Sequence, residues 1–181
     1  SGFFLHNHEK LHETILELES VGQPTLLIGV TFALIDFAEK FQMKLNHTSV
    51  LETGGMKGRR KEMTRLELHK ILTENLGIQQ VHAEYGMTEL FSQAYSFSDG
   101  IFVPANSMRV LLREVNDPFS LVKTPGKIGG IKVIDLANIE SCSFIETRDL
   151  GSLEDDGIRF KVLGRFDNSE MRGCSLMVSE P

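Results

Sequence analysis

The chain is poor in the features that would assign it to several common classes. It holds two cysteines, Cys142 and Cys174, in 181 residues. That is too few for a disulfide framework and favours a reducing, cytoplasmic setting. It lacks an excess of basic charge: 19 Lys and Arg stand against 25 Asp and Glu, a formal net charge of -6. A nucleic-acid partner is therefore not expected. It also lacks a long apolar run. The longest mainly apolar stretch, Thr25 to Ala38, contains Asp36 and is shorter than the roughly 20 residues of a membrane helix, so no membrane span is expected. The opening residues do not read as a secretory signal. No internal repeat or low-complexity tract is present. What remains is an ordinary globular composition, 41% hydrophobic and 24% charged, long enough for one large domain or two small lobes. The first residue is serine rather than methionine, as in a fragment or a processed chain.

Periodicity divides the chain in two. Asn7 is placed to cap a short helix with Leu11, Ile15 and Leu18 on one face and Gly22 just past its end. Thr25 to Val30 is a short continuous apolar run, the pattern of a buried strand. Residues 31–45 read as a helix with Leu34, Phe37, Ala38 and Phe41 on one face. Ser49 to Glu52 reads as a second strand, ending in Thr53-Gly54-Gly55. Thr64-Arg65-Leu66-Glu67 has the form of a capping box, and the helix behind it stops at Gly77. Gln80 to Glu84 is a third strand that delivers Tyr85. Strands alternating with helices predict parallel βαβ units, whose ligands lie beyond the carboxyl ends of the strands. The Gly54-Gly55 and Tyr85 turns both follow strands, so both are expected to face one crevice.

After about residue 100 the pattern changes. Met108–Val115, Gly130–Leu136, Ser143–Thr147 and Ile158–Leu163 are short strand candidates. Asp117-Pro118, Pro125-Gly126, Gly129-Gly130 and Asp156-Gly157 are the turn signals between them. The expected fold is α/β: a Rossmann-like parallel βαβ half-domain over 1–100, then a small antiparallel, β-barrel-like lobe over 101–181.

The most informative segment is Tyr85-Gly86-Met87-Thr88-Glu89. Tyr85 offers a flat face for a base, and Gly86 lets the backbone turn sharply. Thr88 offers a hydroxyl to a phosphate, and Glu89 a hard oxygen ligand for Mg²⁺. The competing explanation is a strand-to-loop turn around a core tyrosine. Gly54-Gly55-Met56-Lys57-Gly58 leaves backbone groups uncovered for a purine or an anion, or forms a flexible loop. Gly126-Lys127-Ile128-Gly129-Gly130 reads as a β-turn of structural purpose. Asp149 can accept both ribose hydroxyls or stand as an exposed strand-end carboxylate. Arg165 can hold ribose or phosphate through its forked donors, or form a surface salt bridge.

Taken in order, Gly54-Gly55, Tyr85-Gly86-Met87-Thr88-Glu89, Gly126-Lys127-Ile128-Gly129, Asp149 and Gly164-Arg165 resemble the adenylate-forming superfamily that includes acyl-CoA synthetases and luciferases. The ending, Leu163-Gly164-Arg165-Phe166-Asp167-Asn168-Ser169-Glu170-Met171-Arg172-Gly173-Cys174-Ser175-Leu176, resembles the tail of the acyl-protein synthetases, which activate fatty acids in the bacterial luminescence reductase complex. The resemblance implies ATP and Mg²⁺ as cofactors, a fatty carboxylic acid as substrate, and an acyl-accepting or reductase protein as partner. It implies that Tyr85 stacks on adenine lined by Gly54, Gly55 and Met56, with Gly86 among the nucleotide-binding residues. Thr88 would bind the α-phosphate and Glu89 the metal, and Asp149 would take the ribose with Arg165 beside it. Cys174 would carry the acyl group, with Arg172 near enough in sequence to lower its pKa. A structural cysteine is the alternative, and Cys142 has the weaker claim. Within the superfamily, a ligase that acylates coenzyme A is the runner-up, and a non-catalytic nucleotide-binding half is a third possibility.

The departures are specific. The Ser/Thr/Gly-rich phosphate loop with its lysine, and the small C-terminal domain with its catalytic lysine, have no counterpart in the sequence. Arg148 replaces the usual glycine before the ribose aspartate, and Glu170 or Met171 stands where a lysine is usual. The chain therefore reads as the C-terminal part of a longer enzyme, inactive alone, with exposed apolar surface expected on the Thr25–Phe41 segment.

One motif competes. His8-Glu9-Lys10-Leu11-His12 has the H-E-x-x-H form of zinc proteases. Lys10 is charged where such proteases are not, the helix is short and terminal, and a third ligand such as Glu19 or Asp36 must be invoked. A surface helix carrying two histidines is the better account. His6, His47, His69 and His82 form no ligand spacing, although His82 lies close to Tyr85.

Overall fold

A computed structural model describes residues 2–5, 7–54 and 63–166. The chain forms two compact units. The first is Ser1–Tyr85 with Ser96–Asp99; the second is Gly86–Tyr95 with the stretch from Gly100 onward. The division falls inside the Tyr85–Glu89 segment.

The first unit contains α1 (His8–Ser20), β1 (Thr25–Val30), α2 (Thr31–Lys40), β2 (Thr48–Thr53), α3 (Arg65–Leu76) and β3 (His82–Tyr85). Strand β2 pairs in parallel with β1 on one side and β3 on the other, as the alternation of strands and helices predicts. The Asn7 side chain accepts from Lys10 N at the start of α1. The capping box of α3 is complete: Thr64 Oγ1 accepts from Glu67 N, and the Glu67 carboxylate accepts from Thr64 N at 2.8 Å. Gly77 ends α3 in the left-handed conformation, φ 61°. The core is built from the inward faces of the three helices, including Ile15, Phe37 and Leu72, packed on Leu27 and Val50 of the sheet. Because side chains alternate along a strand, Leu26 and Ile28 point the other way, and both are more than half exposed, at 57% and 56%.

Helix α2 stops at Lys40, short of the expected residue 45. The backbone beyond it has a better use. Met43 N and Leu45 N donate to Asn75 O and Leu76 O, carbonyls that the end of α3 would otherwise leave unpaired. The Leu45 side chain drops into the core.

The histidine pair of the H-E-x-x-H motif packs on aromatic rings: His12 stacks on Phe41 with centroids 4.5 Å apart, and His8 meets Phe37 edge-on. Glu9 pairs with Lys40. Glu19 accepts from Asn46 N, His47 N and Thr48 Oγ1 at 2.7–3.0 Å, fastening the entry to β2. Burial opposes the charge on Glu19, but the bonds from Thr48, Asn46 and His47 outweigh it and lower its pKa. A depressed folded pKa gives stability that is present above the unfolded value and lost as pH falls through the folded one. In thermal melts from pH 7 to pH 3, Glu19→Gln is therefore expected to melt below wild type above pH 4.5, the ordinary glutamate value, with the gap closing at lower pH. A gap independent of pH would remove the assignment.

The second unit contains β4 (Ala94–Ser96, its last residue in the first unit), β5 (Ile101–Pro104), β6 (Met108–Arg113), β7 (Leu121–Val122), β8 (Ile128–Asp135), a single 3₁₀ turn (Leu136–Asn138), β9 (Phe144–Leu153) and β10 (Phe160–Arg165). The strands pair antiparallel in the order β4-β5-β10-β9-β8-β6-β7. The lobe expected to be barrel-like is an open antiparallel sheet over the described residues, since its end strands β4 and β7 do not pair with each other. Phe102 of β5 and Phe160 of β10 are fully buried and stack with ring centroids 5.5 Å apart. Strand β9 runs six residues beyond its expected end at Thr147, because Leu150, Gly151 and Ser152 are buried and paired on both sides. Strand β10 starts at Phe160 rather than Ile158, because the Asp156 carboxylate accepts from Ile158 N and Arg159 N and keeps them in the turn. Among the described residues no helix is long and apolar enough to cross a membrane.

Candidate nucleotide site

In the first unit the last register pair of β2 and β3 is Thr53↔Glu84. One residue further on each strand stand Gly54 and Tyr85, at the carboxyl ends of neighbouring parallel strands. Gly54 has φ 73°, a conformation that glycine takes at little cost, and its carbonyl lies 2.8 Å from Thr31 Oγ1. Beneath it lies a carboxylate that the sequence patterns did not single out. Glu52 is 2% exposed, with Thr31 Oγ1 2.9 Å from its Oε2, and Arg65 Nε 3.4 Å and His69 Nε2 3.9 Å from its Oε1. Burying a charge needs such partners, and they tie the end of β2 to the starts of α2 and α3. Tyr85 is half-buried. His82 bonds the carbonyl of Phe97 through Nδ1 at 3.1 Å and meets the Phe97 ring edge-on. Gly55 and Met56 lie outside the described residues.

In the second unit Gly86, Thr88 and Glu89 are exposed, with Thr88 and Glu89 at the corners of a turn closed by Leu90 N donating to Met87 O. Asp149 and Arg165 come together across β9 and β10, with Arg165 Nε 3.4 Å from Asp149 Oδ1. Irregularities in the ladder make this pair. Leu163 is an extra residue on β10, between the pairs Val162↔Gly151 and Gly164↔Leu150. In an unbroken register Asp149 would face Gly164; the bulge brings Arg165 opposite it instead. Gly164 accommodates the distortion at φ 153°. On the other side of β9, Gly130 pairs with Leu150 but Lys132 pairs with Glu146, so Thr147, Arg148 and Asp149 together oppose Ile131. The Thr147 hydroxyl bridges this second bulge, donating to Ile131 O at 2.9 Å and accepting from Asp149 N at 3.0 Å. Bulges re-aim side chains and recur beside active sites. Asp149 is thus held mid-strand rather than at a strand end. Its side chain is 19% exposed, while Arg165 reaches outward at 74%.

The donor set fits a nucleotide carrying a metal. Asp149 accepts only, as two ribose hydroxyls require, and Arg165 donates only. Among the described residues no group of three or more His, Cys, Asp or Glu is arranged to hold a metal by itself. Glu89 offers one exposed carboxylate, and Mg²⁺ takes one or two carboxylates and completes its shell with phosphate oxygens and water. In the Gly126–Gly130 stretch, expected as a turn, only the start turns: Gly129 and Gly130 lie in β8. A Cβ on Gly129 would lie 2.6 Å from Arg113 O, and Gly126 takes φ 73° in the turn before β8. Cys142 is exposed; Cys174 lies outside the described residues.

Comparisons with solved structures place the fold. The chain superposes on ATP-bound MatB from Rhodopseudomonas palustris with a TM-score of 0.61 at 18% identity, covering 85% of this chain and 33% of that one. For O-succinylbenzoate coenzyme A synthetase (MenE) from Bacillus subtilis, in complex with ATP and magnesium ion, the TM-score is 0.58 at 21% identity, covering 93% and 39%. For the luciferase-like enzyme of the nonluminescent mealworm Zophobas morio it is 0.56 at 19% identity, covering 86% and 40%. The chain thus spans only about a third of the length of the first of these structures. No curated protein matches it significantly in sequence. The family described as acyl-protein synthetase, LuxE, matches residues 4–181, nearly the whole chain, and the chain belongs to that family.

Proposed function

We propose that the full-length protein is an ATP-dependent, AMP-forming acid–thiol ligase that activates a fatty carboxylic acid and passes the acyl group to a protein thiol. The observation that carries this reading is the Asp149–Arg165 pair, held at a double bulge in the same unit as the exposed Thr88-Glu89 turn. Family membership supports the reaction class.

A carboxylate is a poor acylating agent, so its oxygen first attacks the α-phosphorus of ATP. The bond to pyrophosphate breaks, and an acyl-adenylate is formed. A thiolate then attacks the acyl carbon, AMP leaves, and a thioester remains. Tyr85 and Gly54 hold the adenine, together with Gly55 and Met56. Asp149 and Arg165 fix the ribose, Thr88 hydrogen-bonds the α-phosphate, and Glu89 holds Mg²⁺. The ion spreads phosphate charge when bound. Cys174 is the acyl acceptor in this scheme, on the strength of its place in the family-like tail.

The test is acid-dependent ATP–pyrophosphate exchange by the full-length protein across a panel of fatty acids, followed by trapping of the acyl-enzyme. Exchange is expected, with a hydroxylamine-labile acyl group that Cys174→Ser abolishes. No exchange with any acid refutes the ligase; labelling that survives Cys174→Ser moves the acceptor elsewhere. Coenzyme A is the alternative acceptor, suggested by the fold shared with a coenzyme A synthetase. A soluble acyl-CoA product would establish it.

A further inference from the structure

Thr88 and Glu89 are exposed corners of a short turn, without buried side chains of their own to hold them. What holds the turn comes from the end of β8. Asp135, the last residue of that strand, is 0% exposed, and its carboxylate accepts four hydrogen bonds. Phe91 N donates to Oδ2 at 2.8 Å and Ser92 N to Oδ2 at 2.9 Å. Ser92 Oγ donates to Oδ1 at 2.6 Å and Ala137 N to Oδ1 at 3.0 Å. Burial opposes the charge, yet the bonds from Ser92, Phe91 and Ala137 prevail and keep the carboxyl below its ordinary value. Three residues on, Asn138 is also buried. Its Nδ2 donates to Glu89 O at 2.7 Å and to Cys142 O at 3.0 Å.

The two grips bracket the corner. Asn138 takes the carbonyl of Glu89 itself, and Asp135 takes the amides two and three residues later. A side-chain amide in place of the Asp135 carboxylate would face those amides with a donor, and an aspartate at 138 would face two carbonyls with an acceptor. The residue types are therefore set by what the turn presents.

We propose that Asp135 and Asn138 are positioning residues that hold the Met87–Ser92 turn in the one conformation presenting Thr88 and the Glu89 carboxylate outward to a metal–phosphate group. This rests on the role given to Glu89 under Proposed function. Partners that orient a metal ligand typically cost about 10–100-fold in metal affinity when removed.

The test is calorimetric titration of the full-length protein with ATP, with and without Mg²⁺. Wild type is expected to bind ATP more tightly with the metal. Asn138→Ala is expected to lose about tenfold of that metal-dependent gain, while metal-free ATP binding changes by less than about threefold. Ser92→Ala, which removes one of the four donors to Asp135, is the milder variant should Asn138→Ala fail to fold; about a threefold loss is expected. Folded variants that keep the full gain, or that lose metal-free and metal-dependent binding equally, overturn the positioning role while the ligase reading stands. A wild type that binds no nucleotide, or gains nothing from Mg²⁺, removes the role of Glu89 and this inference with it.

Discussion

Gly151→Ala is expected to cost about 3 kcal/mol, the upper part of the range for overpacking a filled core. Gly151 lies near the end of β9, paired on both sides, opposite Gly129 on β8 and Val162 on β10. A methyl group there would lie 2.5 Å from Lys161 O and 2.8 Å from Ile131 Cδ1. The first is backbone of a paired strand, and the second belongs to a side chain with no exposed surface. Lys161 O cannot retreat without parting β10 from β9, and the Ile131 side chain has no free space to turn into. Gly157 provides the control. It sits in the β9–β10 turn at φ 64°, with nothing within 4 Å of where its Cβ would be. Gly157→Ala should cost only the backbone strain, about 1–2 kcal/mol. Urea melts of the two variants decide the matter: equal losses would mean that β9 and β10 do not approach as closely as described. The site lies two residues away, so a spread ladder should also displace Asp149.

Local chemistry made most of the first unit legible. The cap at Asn7, the box at Thr64 and Glu67 and the stop at Gly77 each act within a few residues, and each signal sits in the sequence where it works. The end of α2 was not legible, because the carbonyls that draw Met43 and Leu45 out of the helix belong to α3, some 30 residues further along. In the second unit β4, β5 and β7 are two to four residues long, too short to show alternation.

The candidate site divides in the same way. Tyr85, Glu89, Asp149 and Arg165 could be named because each stands in a recognisable motif. The reason Asp149 meets Arg165 could not be foreseen: it depends on one extra residue in β10 and two in β9, and periodicity carries no mark of a bulge. Asp135 and Asn138 carry no mark in the sequence for a different reason. Their partners in the Met87–Ser92 turn lie some 43–49 residues away, and nothing in Ile134-Asp135-Leu136-Ala137-Asn138 shows that its polar atoms will be used there. The one available signal is a carboxylate directly after the apolar pair Val133-Ile134.

Asp149→Asn is expected to weaken ATP binding about 10–100-fold, the equivalent of losing roughly 1.5–3 kcal/mol of hydrogen bonding to a charged acceptor. The amide keeps the size of the side chain but presents one acceptor and one donor where two hydroxyls both donate. Arg165→Ala should cost less. The ion pair itself contributes little, because Arg165 is 74% exposed and such pairs contribute about 0–1 kcal/mol. Neither change touches the core, so melting temperatures should stay within a few degrees of wild type. Nucleotide analogues separate a ribose contact from a general loss. Wild type should discriminate against 2′-deoxy- and 3′-deoxy-ATP, and Asp149→Asn should bind all three nucleotides about equally weakly. If the variant retains the discrimination, the hydroxyls are read by another group, and the bulge that joins Asp149 to Arg165 serves the sheet rather than the ligand.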